Sequence, residues 1–144
     1  MDHRRAGELL GRDVAFHDIR LGVGVDVVLD AALTRVIGLD VRCGDEAHRF
    51  LPLAVCNLAG DRIRVGSALV LMDYAFYRDR GRSLAGLRGR MVRHGGREGS
   101  LVDLLVDSAG GVLAFLVVGP DGEEREIPAS PDVVIAGDAL RPAV

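Results

Sequence analysis

Lysine, glutamine and tryptophan are absent from this 144-residue chain, and asparagine occurs once, at Asn57. All 18 basic residues are arginine. Without lysine there is no phosphate-loop lysine, no Schiff-base lysine and no lysine general base. Aromatics make up only 4% of the chain, so its core must be built from Val, Leu, Ile and Ala. Val and Ile are stiff at χ1 and favour strands. Cysteine is limited to Cys43 and Cys56, with no CxxC spacing, which reads as two reduced thiols. No apolar run approaches a membrane span, and the longest, Val112–Val118, suits a buried strand. Residues 1–8 lack the apolar stretch of a signal peptide, so the expected location is the cytoplasm.

What is present is 49% hydrophobic residues, 27% charged residues and 19 glycines, a composition for a folded chain with many turns. The decisive feature is internal similarity. Leu10-Gly11-Arg12-Asp13-Val14 aligns with Arg88-Gly89-Arg90-Met91-Val92, and Val25-Asp26-Val27-Val28-Leu29-Asp30 with Val102-Asp103-Leu104-Leu105-Val106-Asp107. Phe50-Leu51-Pro52 then aligns with Glu126-Ile127-Pro128, and Leu58-Ala59-Gly60-Asp61 with Ile135-Ala136-Gly137-Asp138. The four blocks keep their order at a nearly constant offset of about 77 residues.

Each unit reads as short strands separated by turns. In the first they fall at 12–16, 23–29, 36–42 and 48–51, with a short strand before Ala59. In the second they fall at 90–94, 100–106, 112–118, 123–127 and 133–135, with 95–99 as a turn. Val25, Val27 and Leu29 share one strand face, as do Val102, Leu104 and Val106. Val112–Val118 is apolar on both faces, which predicts the most buried strand of the chain, with Phe115 inside. Between the units, Leu69, Met72 and Phe76 recur at helical spacing, predicting a helix over 67–81 with Ser67 as N-cap and Gly81 as its stop. A strand followed by a loop is the competing reading of that stretch.

These motifs resemble a PRC-barrel domain twice over: Gly11 to Val14, Gly22 to Asp30, Leu51-Pro52 and Gly60-Asp61, then Gly89 to Val92, Gly99 to Asp107, Ile127-Pro128 and Gly137-Asp138. The resemblance implies an all-β fold of two small barrel-like repeats, at 7–66 and 85–142, and the spacing noted above places a short helix in the connecting segment 67–84. The family includes the cytoplasmic part of a photosynthetic reaction-centre subunit and half of a bacterial ribosome-maturation factor. It implies a non-enzymatic interaction module and supplies no catalytic residues.

Tests for chemistry agree. The pairs Asp26/Asp30 and Asp103/Asp107 lie at i, i+4, about 13 Å apart on a strand, too far for paired-carboxylate catalysis within one repeat. They are expected to cap turns, although carboxylates from opposite repeats could still meet. His3, His17, His48 and His94 show no metal-ligand spacing, and His17 and His94, beside the first hairpin of each unit, read as exposed turn histidines. No catalytic residue, metal ligand or cofactor site is assigned. Charge is the remaining signal. Residues 78–97 hold Arg78, Arg80, Arg82, Arg88, Arg90, Arg93 and Arg97 against Asp79, a net of +6. Residues 98–144 carry nine acids and two Arg, a net of −7. The arginines are candidates for a partner site, or pair with the acidic second unit. A protein partner is expected, RNA or the ribosome is the alternative, and a homo-oligomer is open.

Overall fold

A computed structural model describes residues 3–136. The chain starts with β1 (His3–Arg5) and one 3-10 turn (Ala6–Leu9). Next come β2 (Asp13–Phe16), β3 (Ile19–Leu29), β4 (Val36–Cys43), β5 (His48–Pro52), β6 (Cys56–Asn57) and β7 (Ile63–Val65). A connecting stretch carries β8 (Met72–Asp73), α1 (Tyr74–Arg80), β9 (Arg82–Ser83) and α2 (Leu84–Leu87). The second half adds β10 (Met91–His94), β11 (Arg97–Asp107), β12 (Val112–Val118), β13 (Glu124–Pro128) and β14 (Val134–Ile135). The strands form two sheets, ordered β6-β7-β2-β3-β4-β5-β8 and β13-β12-β11-β10-β14. One sheet curls into a half-barrel, and the fold is all-β.

The long strands β3 and β11 organise the halves in the same way. Ahead of β2 and β10, the strands that hairpin into them, a glycine turn bonds onto each: Gly11 (φ 82°) donates to Gly24 O, and Gly89 (φ 88°) donates to Leu101 O, both at 2.8 Å. A positive φ at both places favours glycine over any residue with a Cβ. Each strand carries register shifts at matching steps, between Gly24 and Asp26 and again after Val28, then between Leu101 and Asp103 and after Leu105. A bulge breaks strict alternation. Val25 and Val102, expected inside, are therefore only half-buried, and Gly24 and Leu101 are enclosed instead.

The segment before each half pairs with the other half. β9 runs against the end of β3, with Ser83 opposite Val28, and β1 runs against the end of β11, with Arg5 opposite Leu105. These additions cover Val28, which is buried, and half-cover Leu105. The hairpin tips also meet reciprocally: Val36 N donates to Gly110 O (2.7 Å) and Val112 N to Thr34 O (2.9 Å). A single buried cluster runs through both sheets, including Val27, Leu39, Leu51, Leu104, Phe115 and Ile127.

Several expectations need correction. β12 is not the most buried strand: Phe115 is inside, but Leu113 is exposed at the strand's start, while β4 is enclosed over more of its length. The turn expected at 95–99 shrinks to Gly95-Gly96, both at positive φ, and the strand resumes at Arg97. A two-residue glycine hairpin needs no longer loop. The helix expected over 67–81 forms only at Tyr74–Arg80. Its N-cap is Asp73, which accepts from Ala75 N, while Ser67 caps a separate 3-10 turn and Met72–Asp73 is held as a strand against Phe50 and Arg49. Gly81 does end it. Ile135 pairs beside Val92, where the first half uses Ile63 beside Val14, not the aligned Leu58. Gly137 and Asp138 lie outside the described residues.

Candidate functional site

The repeated aspartates are the most structured polar groups. Asp26 Oδ1 accepts from its neighbour Val27 N (2.8 Å) and from Ala85 N (3.0 Å), at the start of the second half. Asp103 Oδ1 accepts from Leu104 N (2.8 Å) and from Gly7 N (2.9 Å), at the start of the first. Each carboxylate thus clasps the turn that opens the other half. Asp30 and Asp107 stay local, accepting from Thr34 and Arg35 amides and from Ala109 and Gly111 amides in the following turns. All four of these carboxylates accept hydrogen bonds from backbone amides.

Around the two clasps the halves diverge. Asp103 is also approached by Arg5 (3.4 Å) and Arg88 (3.8 Å). Asp26 instead lies opposite Asp40 across β3 and β4. Asp40 is buried, and His48 Nδ1 lies 2.8 Å from its Oδ1. The Tyr74 ring of α1 lies 5.9 Å from the His48 ring, and the Tyr77 ring one turn on stacks on Phe50 at 3.8 Å. His48 is exposed at the start of β5, with its ring held by a buried carboxylate. Burial raises the Asp40 carboxyl above its ordinary pKa of 3.8, and Asp26 adds to the rise, while His48 and Tyr74 oppose it. Burial likewise raises Tyr74.

A raised carboxyl means that the folded state takes up this proton before the unfolded state does, so ionised Asp40 costs stability at neutral pH and the cost fades as pH falls through its folded pKa. Asp40→Asn keeps an acceptor for His48 but removes the charge facing Asp26. Urea midpoints at neutral pH should therefore be higher in the variant, and the gap should narrow toward the ordinary carboxylate pKa. A variant that is less stable at every pH would show that the charge contributes favourably.

The arginines of residues 78–97 are spread over α1, β9, the loop after α2, and the β10–β11 hairpin. Arg78 pairs with Asp79 and Arg93 with Glu98, both at 3.2 Å. Arg80 bonds Phe76 O and lies over the Phe76 ring, and Arg88 bonds Val102 O. Arg82 and Arg90 are half-buried and each is engaged with a neighbour, while Arg97 is exposed at the hairpin. His17 is exposed, and His94 contacts Asp132 at 3.2 Å. Both thiols are free, and burial pushes Cys56 up to about 12, far from thiolate reactivity. Among the described residues no three metal-ligating side chains converge, and no helix is long and apolar enough to cross a membrane.

No protein-family model and no curated protein matches the chain. Its own surface must therefore carry the functional argument, and two apolar features stand out. The first is a half-open cleft of about 730 Å³ lined by Leu33, Val112, Phe115, Val133 and Ile135. Its origin is visible in the comparison of halves. A Cβ on Gly110 would lie 2.6 Å from Leu53, so Leu53 fills the space below that hairpin tip; the matching place after β13 holds Ala129 and stays open. The second is the connecting stretch, where Leu69 is 92% exposed, and Met72 and Phe76 are also exposed.

Proposed function

We propose that the chain is a non-enzymatic binding or scaffold module of the PRC-barrel type, made of two related β units that clasp each other and offer a surface to a protein partner. The carrying observation is the division of labour among side chains. Asp26, Asp103, Asp30 and Asp107 hold backbone amides, whereas Leu69, Met72 and Phe76 face outward on a segment anchored by Tyr74 and Tyr77. Exposed large apolar residues beside arginine are the composition of an interface centre. The matched glycine turns, bulges and reciprocal aspartate clasps support the duplicated-unit reading. The scatter of Arg78, Arg88 and Arg93 over separate elements, each against a carboxylate or carbonyl, favours a protein partner over RNA.

Replacing Leu69 and Phe76 together by serine tests this. Both are exposed, so melting should stay within about 1 kcal/mol of the parent. Pull-downs from native cytoplasm, analysed for protein and RNA, should lose the protein component. Loss of a self-associated form instead would identify the partner as a second copy. Unchanged capture by a folded variant would contradict the assignment of this surface.

A further inference from the structure

β5 and β13 occupy matching positions, yet among the described residues only β5 has its outer edge covered. In the first sheet β8 lies along β5, with Asp73 opposite Arg49 and Met72 opposite Phe50. The hairpin bearing β13 has the same build. Gly38 pairs with Pro52 and Leu39 with Leu51 in the first half, as Ala114 pairs with Pro128 and Phe115 with Ile127 in the second. The ion pair Asp45–Arg49 recurs as Asp121–Arg125. β13 is nevertheless the last strand of its sheet, and among the described residues nothing pairs with its outer edge. Glu124, Arg125 and Glu126 are exposed, where Phe50 is buried.

We infer that the outer edge of β13 accepts an extended segment of a partner protein as an added antiparallel strand, with a basic residue opposite Glu126 followed by an acidic residue opposite Arg125. The backbone part of this follows from an unpaired strand edge, which presents free N–H and C=O groups to an incoming strand. The side-chain part follows from the first half. There Arg49 faces Asp73 while still bound to Asp45, so the Asp121 pair leaves Arg125 able to face an acid. Glu126 has no ion pair among the described residues and calls for a cation across the strand. A second copy of β13 is a poor occupant. Opposed residues in antiparallel strands point to one face, so symmetric self-pairing centred on Arg125 or Glu126 sets like charges against each other. The inference rests on the binding-module reading but uses a surface apart from Leu69 and Phe76.

The test uses two synthetic hexapeptides copying residues 69–74, one with Met72→Lys, the other with Met72→Asp and Asp73→Lys. Binding is read by amide shifts and hydrogen exchange on the full chain. The first peptide should protect amides of β13 and bind about tenfold more tightly than the second, an advantage that Glu126→Lys should abolish. Equal binding, no change at β13 with about 1 mM peptide, or β13 edge amides already protected in the free protein would each overturn the proposal. None of these results bears on the serine variants of Leu69 and Phe76, so the two readings fail separately.

Discussion

Asp103→Ala should cost about 3 kcal/mol of stability, whereas Asp103→Asn should cost about 1 kcal/mol. Asp103 is only 6% exposed and its Oδ1 holds two backbone donors, Leu104 N within β11 and Gly7 N from the opposite half. Alanine strands both donors, and Leu104 is fully buried, so water cannot readily replace the lost acceptor. The amide of asparagine can still accept from both. What asparagine loses is the attraction of Arg5 and Arg88, whose side chains are about two-fifths exposed and rehydrate, so that part is small. Equal losses in the two variants, measured by urea titration, would mean that charge rather than acceptor geometry makes the clasp. A domain of this size has only about 5–15 kcal/mol in hand, so the alanine change consumes a large share.

Phe115→Ala is the other large effect, expected at about 3–5 kcal/mol. The ring is 4% exposed and sits in the shared core from the centre of β12, opposite Leu104 on one side and Ile127 on the other. Nothing polar could compensate, and the removed ring would enlarge the neighbouring apolar cleft rather than let the sheet collapse, because β12 is pinned between β11 and β13. Phe115→Leu should recover most of the loss. A loss near zero in the alanine variant would show that the cleft already tolerates an open core.

Much of this fold was legible from residue type alone. Alternating Val and Leu placed β3, β4, β11 and β12 to within a few residues, and the strand expected at 123–127 is β13. Local rules failed where tertiary contacts outranked them. Leu69, Met72 and Phe76 match a helix period, but pairing of Met72 and Asp73 with β5 claims the first half of that stretch before helix can form. A one-residue bulge turned Val25 and Val102 partly outward, and nothing in a local pattern marks a bulge.

The site was less legible, for a related reason. Asp26 and Asp103 read in the sequence as turn-capping acids, yet which amide each would cap depends on how the halves cross, and that is not a local property. The pairing of Asp40 and His48 did leave a trace: Asp40 is the one acid inside the apolar run of β4, and His48 opens the strand that returns beside it. A lone carboxylate in a buried strand is a reason to look across the hairpin for its partner.

The reciprocal clasp is the central claim, and native-state hydrogen exchange at the Gly7 and Ala85 amides tests it most directly. If Asp103 and Asp26 hold the two halves together, both amides should exchange as slowly as core amides such as Leu104, and Asp26→Ala should speed exchange at Ala85. Exchange of either amide at the rate of an unstructured chain in the parent protein would contradict the account.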